Sequence, residues 1–529
     1  MTTPAVYFAI ARPDPPTRDP VMLATVHSSA LQGIDGLPVE VEVDLGPGLP
    51  QLAIVGLLEG AVRESKDRVR TALKNSGYEF PRGRLMINLA PADVKKAGSA
   101  YDLPMAVGIL AAAGKIPPER LRAFALLGEL SLDGRVKPVR GALPIAASVR
   151  QQRLRGVVLP SPNAAEAAVM DGIDIIPVST LAEAVEFLRG ERDLSPVRVD
   201  LAAVFAAHAR HEVDFADVHG QEHVKRAFEV AAAGGHNLLM VGPPGSGKTM
   251  LAQRLATILP PLTLTEAIET TRVHSVMGLM DGRALIAIRP FRAPHHTISD
   301  AGLVGGGTIP RPGEVSLAHH GVLFLDELPE FRKNVLEVLR QPLEERRITI
   351  SRVVGSITYP ADLMLVAAMN PCVCGFLGDA QKECTCTLPQ IQRYRARISG
   401  PLLDRIDIQV EVPAVRYKEL AERRRGERSQ SIGARVADAR GVQLDRFRGR
   451  AIFCNAQMTP RDLRRHCGLQ NDAERLLEAA MTKLGLSARA YTRILKVART
   501  IADLDRADVI GAAHVSEAIQ YRSLDRAFH

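Results

Sequence analysis

Along this chain the spacing of apolar positions changes period several times, and the changes outline its parts. From Met22 to about residue 190, strand-like and helix-like runs alternate. "VEVEVDLG", "LPQLAIVGL" and "RLMINLAP" have strand composition. "EGAVRESKDRVRTALKNSG" has the period of an amphipathic helix, with Gly77 as its stop. "DLPMAVGILAAAGKI" predicts an apolar helix, so residues 22–190 form an α/β domain. Residues 191–215 are charged and lack strong periodicity, which predicts a linker. From 216 to 412, helices alternate with the short strands "NLLMVG", "GVLFLDE" and "LMLVAAMN". Each is nearly all apolar, as parallel strands covered on both faces should be. Residues 413–458 read as an arginine-rich helical connector, and 459–529 as three or four helices making a small all-helical lid. The proline-punctuated residues 1–21 look like a flexible extension, with the true start near Met22.

Composition narrows the class. A chain of 529 residues with 46% hydrophobic residues has ample core for several domains. Six cysteines in such a length do not form a disulfide framework. No apolar run reaches the ~18–20 residues of a membrane span. The N-terminus lacks the pattern of a secretory signal. The expectation is a soluble cytoplasmic protein with no membrane contact. Net charge is +8, and residues 391–465 hold 18 Lys/Arg against 9 Asp/Glu, which covers the whole excess. That region suits a polyanion, nucleic acid first, or a solvated arginine-rich helix. Arg423–Arg425 fits the second description better.

Chemistry enters at "GPPGSGKT", which is Gly242, Pro243, Pro244, Gly245, Ser246, Gly247, Lys248 and Thr249. It follows an apolar strand and opens a helix, the setting in which G-x-x-x-x-G-K-[ST] cradles phosphates. Lys248 is expected on the β- and γ-phosphates and Thr249 on Mg²⁺. "GVLFLDELPEF" supplies Asp326, to hold Mg²⁺, and Glu327, to deprotonate the attacking water. Asn370 ends the next apolar strand and can hold that water or the γ-phosphate. Arg405 in "SGPLLDRIDI" suits a finger reaching a neighbouring subunit's phosphate. In the lid, Arg489 could sense the phosphate in cis, with Arg493 as its rival. In this order the pieces resemble an AAA+ ATPase. The fold class is then α/β: an N-terminal α/β domain, a central P-loop α/β ATPase domain and a C-terminal all-helical lid.

Longer stretches narrow the resemblance. "RPFRAPHHTISDAGLVGGGTIPRPGEVSLAHHGVLFLDEL", "EERRITISRVVGSITYPADLMLVAAMNPC" and "SARAYTRILKVARTIADL" resemble the magnesium-chelatase-like AAA+ proteins of the ComM (YifB) family. So does "GLPQLAIVGLLEGAVRESKDRVRTALKNSGYEFP" near the N-terminus. The resemblance covers about residues 22–526. It implies a hexameric ATPase that uses ATP and Mg²⁺, binds DNA and drives branch migration in recombination or natural transformation. Kinship with magnesium chelatase keeps a protein-remodelling ATPase as the alternative. "RRITISRVVGSITYPA" reads as a hairpin whose Arg346, Arg347 and Arg352 could track DNA phosphates. A second loop with Arg292, His295, His296 and Gly305–Gly307 could face the same pore, or be merely polar. With 4% aromatic residues and no Trp, backbone contact is favoured over base stacking.

Two further features stay open. "LGELSLDGRVKPVRGALPIAAS" looks like part of a Lon-type protease fold, in which a serine–lysine dyad does the chemistry. Leu143 stands where that lysine belongs, and Ser99 lies near, not at, the serine position. A non-proteolytic domain is expected; Lys95 and Lys96 are remote substitutes. Cys372, Cys374, Cys384 and Cys386 form two C-x-C pairs after Asn370. They fit a structural Zn²⁺ clip, reduced unligated thiols or a redox switch, and the C-x-C spacing is tighter than the usual zinc spacing.

Overall fold

The computed structural model of the chain describes residues 22–57, 60–96, 98–207, 213–307, 310–352, 355–379, 382–415, 426–450 and 452–524. The extension at 1–21 and Arg423–Arg425 lie outside the described residues. The chain divides into two compact units, with Gly36–Arg198 and the strand before it in the first and Val199 onward, together with Gln32–Asp35, in the second.

The first unit is built on a seven-stranded sheet in the order β3-β4-β2-β1-β5-β6-β7. These strands are β1 (Met22–Gln32), β2 (Asp35–Gly46), β3 (Gln51–Val55), β4 (Arg84–Ala90), β5 (Phe124–Leu126), β6 (Gly156–Pro160) and β7 (Asp174–Val178). In β2 the alternation decides the face: Val39, Val41 and Val43 are buried while Glu40 and Glu42 are not. Antiparallel pairing sets Val41 opposite Leu89 and Val43 opposite Ile87, so one apolar set is buried together. Helix α1 (Gly60–Asn75) ends as its sequence suggests, with Gly77 at φ +83°. Helix α2 (Asp102–Ala112) is apolar all round and buried along its whole length. Gly108 lets it approach the sheet, since a Cβ there would lie 2.6 Å from Val43. Helices α3 (Ala142–Gln151) and α4 (Leu181–Arg189) complete the layers.

The second unit holds a five-stranded sheet, all parallel, in the order β9-β10-β13-β8-β14. The strands are β8 (Leu238–Val241), β9 (Phe291–Arg292), β10 (Val322–Leu325), β13 (Met364–Met369) and β14 (Ile408–Glu411). Alternate residues serve opposite faces, as strand geometry demands. Leu238, Met240, Phe324, Val366 and Val410 join one core with helix α5 (Glu222–Gly234). Leu239, Leu323, Leu325, Leu365 and Ala367 join another with Leu328, Phe331 and Leu402. Both faces are covered, hence the unbroken apolar runs. Helix α6 (Lys248–Leu255) starts at the end of β8, and α7 (Leu264–Met277) follows. Strands β11 (Arg347–Arg352) and β12 (Gly355–Pro360) form an antiparallel hairpin, and α8 (Leu388–Arg395) precedes β14.

Helix α9 (Ser429–Arg446) leads to four lid helices: α10 (Pro460–His466), α11 (Asn471–Leu484), α12 (Ala488–Leu504) and α13 (Ala512–Gln520). They are not a free-standing cap. Ile494, Val497, Ala498 and Val515 sit in the same core cluster as β8 and α5. Buried polar bonds fasten the join: His236 to Thr500 at 2.8 Å and Asn455 to Asp503 at 2.7 Å. The expected linker also has structure. Val197 bonds Ile175 O within the first unit, and Phe215 is fully buried in the second. No helix among the described residues is long and apolar enough to cross a membrane.

Candidate nucleotide site and its surroundings

The loop Gly242–Gly247 leaves β8, between β13 and the edge strand β14, and turns into α6. Gly242 has no room for a side chain: a Cβ would lie 2.1 Å from Val412 O. Gly245 and Gly247 have φ of +78° and +88°, a conformation that favours glycine. Lys248 Nζ donates to Gly242 O (2.8 Å), Pro243 O (2.9 Å) and Asn370 Oδ1 (3.3 Å). Burial lowers its pKa, while Asp326 and Glu327 oppose that. Thr249 Oγ1 donates to Asp326 Oδ2 at 2.6 Å. Pro244 flanks the turn, and the buried Ser246 hydroxyl has no hydrogen-bond partner among the described residues. Gln221 was not singled out by sequence. Its amide donates to Ser246 O (3.1 Å) and to Pro413 O (2.8 Å).

Glu327 follows β10 in a left-handed conformation, φ 52° and ψ 48°, which is strained for a side-chain-bearing residue. Its carboxylate faces His296, with Nδ1 to Oε2 at 3.5 Å. His296 in turn lies against His295, ring centroids 4.1 Å apart. His296 was expected as a polar pore residue; it lies beside the acidic pair instead. The strand that delivers it, β9, is two residues long and leaves no periodic trace in the sequence.

Arg405 and Arg489 lie elsewhere. Asp404 and Asp407 precede β14, whose first residue pairs with the first residue of β8. Arg489 bonds Asp404 at 3.1 Å, and Arg493 pairs with Asp407. The phosphate loop leaves the opposite end of these four-residue strands, roughly 13 Å along. The expectation that Arg489 senses phosphate in cis therefore fails on geometry. Arg405 is only 6% exposed and tied to Glu344 and Pro401 O, so it does not project. Arg489 is 66% exposed and does.

The hairpin β11–β12 turns Ile348, Ile350 and Tyr359 inward and leaves Arg347, Thr349, Ser351, Ser356 and Thr358 outside. Hydroxyl pairs bridge the strands, Thr349 to Thr358 (2.9 Å) and Ser351 to Ser356 (2.8 Å). Tyr359 ties the hairpin to Pro310 at 2.7 Å, beside a short ribbon of Gly305–Gly306 and Arg311–Pro312. Arg352 is exposed and lies against Gly306. Arg346 departs from its expected place. It caps the preceding helix at φ 55° and reaches Gln457 O at 3.1 Å, so it is not on the hairpin. Arg292 is held by Glu314 in a two-point pair at 2.6 and 2.8 Å, which removes it from the loop contacts.

Among the described residues, two clusters could bind metal by composition. The four thiols of Cys372, Cys374, Cys384 and Cys386 lie mutually within 4.8 Å. Glu269, His319 and His320 form the other. In that one, His319 Nδ1 accepts from Asp362 N–H at 3.1 Å, so the neutral ring carries its proton on Nε2, facing Glu269 at 3.5 Å. His319 and His320 hold the Glu269 carboxyl well below its usual range. His320 Nε2 bonds Glu269 Oε2 at 2.8 Å, so the group has an internal hydrogen bond of its own.

Comparison with known proteins adds the lineage. "Magnesium chelatase, subunit ChlI" matches residues 214–420, "Subunit ChlI of Mg-chelatase" 41–163, and "Magnesium chelatase, subunit ChlI C-terminal" 426–522. The YifB protein of Salmonella typhimurium is 44% identical over 507 residues, 95% of this chain and 98% of its own. Competence protein ComM of Haemophilus influenzae is 44% identical over 508 residues, with the same coverage. The chain belongs to the ComM (YifB) family of magnesium-chelatase-like AAA+ ATPases.

A shorter stretch of this ComM-family chain, 167 residues, is 29% identical to Lon protease 2 of Bacillus subtilis. The Lon-like N-terminal unit does not assemble a serine–lysine pair among the residues singled out for it. Leu143 is fully buried, its N–H bonded to Glu166 at 2.9 Å. Ser99 donates to Glu129, and Lys96 Nζ to Pro91 O. Sequence reasoning missed Gln221, and it placed His296 in a loop without seeing its contact with Glu327, for one reason: both act through contacts distant in sequence, which a local pattern cannot carry.

Proposed function

We propose that this chain assembles as a homo-hexameric ring that couples ATP hydrolysis to sequence-independent movement on branched or single-stranded DNA, driving branch migration in recombination or natural transformation. The observation that carries it is the outward face of β11–β12: Arg347 and a ladder of hydroxyls, with no large apolar side chain among its described outward positions, and the exposed Arg352 at the hairpin's end. Such a face suits phosphates and reads no sequence. The competence name of the Haemophilus relative points the same way. An apolar surface would instead favour a protein partner, as in a magnesium-chelatase-type remodeller.

The nucleotide chemistry follows from the loop. Thr249 and Asp326 are hard oxygen donors 2.6 Å apart beside a buried lysine, a set that fits Mg²⁺. The ion, bound there, neutralises phosphate charge. Lys248 exchanges its loop carbonyls for the β- and γ-phosphates. Asn370 orients the attacking water, and Glu327 takes its proton. Arg489, exposed at the far end of the sheet, serves the site of the neighbouring subunit, with Arg405 anchoring that edge from beneath. The N-terminal unit, with leucine at position 143, is a non-proteolytic assembly or partner domain.

The deciding experiment measures phosphate release by the purified ring with and without a four-way DNA junction, and strand exchange on that junction. Stimulation with strand movement is expected. A hexamer showing neither, yet hydrolysing ATP, would leave the protein-remodelling alternative.

A further inference from the structure

The thiol cluster after β13 is packed as metal ligands are packed. Cys372 Sγ lies 3.3 Å from Cys374 Sγ and 3.6 Å from Cys384 Sγ, and Cys374 to Cys384 is 3.6 Å. All six cysteines are free of disulfides. A zinc ion with Zn–S bonds of ~2.3 Å holds tetrahedral sulfurs about 3.8 Å apart. The observed spacing is close to that, and a multi-iron cluster would spread the four sulfurs further. The tight C-x-C gap is no obstacle, because the two pairs face one another across the loop. Backbone N–H groups complete the shell. Cys374 N–H points to Cys386 Sγ at 3.3 Å, and those of Phe376 and Thr385 point to Cys374. Gly375, at φ +86°, makes the turn that aims the Phe376 N–H inward.

The loop also touches the phosphate loop. A Cβ on Gly375 would lie 2.6 Å from Pro244 Cδ and 3.9 Å from Asn370 Cγ. The backbone of the cysteine loop is thus packed on the turn that wraps the nucleotide and on the amide that bonds Lys248. Pro371 O, one residue before the first thiol, accepts from Arg395 of α8 at 3.3 Å.

We propose that Cys372, Cys374, Cys384 and Cys386 bind one zinc ion as four thiolates, and that the resulting knuckle buttresses the phosphate loop through Gly375 and Pro244. Binding is not a redox step. Each thiol that is still protonated releases its proton and donates an electron pair to Zn²⁺. The buttress rests on the nucleotide reading above; the metal site does not.

Elemental analysis of the untagged full chain is expected to find one zinc per chain. Growth with cobalt is expected to give the visible bands of tetrahedral cobalt thiolate. Cys374→Ser and Cys384→Ser each reduce the metal to a small fraction, whereas Cys467→Ser, outside the cluster, retains it. No stoichiometric metal, or iron in zinc's place, overturns the site; the cobalt spectrum of the unaltered chain answers even if the serine variants do not fold. For the buttress, zinc is stripped from the chain and circular dichroism checks that it remains folded. Binding of a fluorescent ATP analogue then weakens at least about fivefold and recovers when zinc is restored. Unchanged affinity in a folded, zinc-free chain overturns the buttress and leaves the nucleotide site intact. Loss of binding in Lys248→Ala tests that site separately.

Discussion

Lys248 keeps its ammonium on two loop carbonyls and Asn370, so the donors that meet phosphate are already gathered. Lys248→Ala is expected to abolish ATP turnover without altering the circular dichroism spectrum; surviving turnover would refute the nucleotide site. Glu327→Gln keeps the shape and removes the base, so ATP still binds while turnover falls by ~10²–10⁴. His296 is the less obvious residue. Its Nδ1 lies 3.5 Å from the exposed Glu327 carboxylate, where it competes with water for that oxygen. His296→Ala is expected to raise DNA-free turnover roughly two- to tenfold, the worth of one hydrogen bond. A fall in turnover would mean that the contact assists catalysis. Lys248, Asp326 and Glu327 were legible because their motif is local in sequence. His296 was not, because it reaches Glu327 by way of a two-residue strand.

At the level of elements, the strands that could be read are those buried on both faces. β8, β10 and β13 write their environment into an unbroken apolar run, and β2 and β4 into alternation. The hairpin β11–β12 was legible as a hairpin, but its first arginine was misplaced by one residue. Arg346 takes the left-handed cap of the preceding helix, and that single turn sends it toward Gln457. The helices of the lid were legible too, though not their union with the main core, which rests on long-range contacts such as His236 with Thr500. The hairpin gives a test by salt. On the proposed DNA path, changing both Arg347 and Arg352 to Ala would remove two phosphate contacts. The slope of log affinity against log salt is then expected to flatten by about 2. An unchanged slope would move the DNA path elsewhere.

For the whole molecule, the proposed role of Arg489 in a neighbouring site calls for two subunits at each working site. Lys248→Ala and Arg489→Ala chains, each inactive alone, are expected to regain activity when mixed, at roughly a quarter of the interfaces in a random ring. No recovery on mixing would remove the in-trans reading. Acid stability is also shared across the ATPase unit. Burial lowers the pKa of His236, His274 and His319. Each is neutral when folded and binds a proton more readily when unfolded. Their contribution is therefore complete above the unfolded value of ~6.5 and declines as pH falls below it. The urea midpoint is expected to drop between pH 7 and 5, with a slope of at most about 4 kcal/mol per pH unit for three protons. Lower still, protonation of Asp407, held far below its usual range against its own burial by Arg493 and His236, adds to the loss. A flat profile from pH 7 to 5 would contradict this. Finally, Gln221 clasps Ser246 O and Pro413 O with one amide. Pro413 begins the stretch of chain that runs on toward α9 and the lid. One side chain thus joins the nucleotide loop to the residue that follows the last strand of the sheet, and a shift of Ser246 on binding phosphate would reach Pro413 through a single amide.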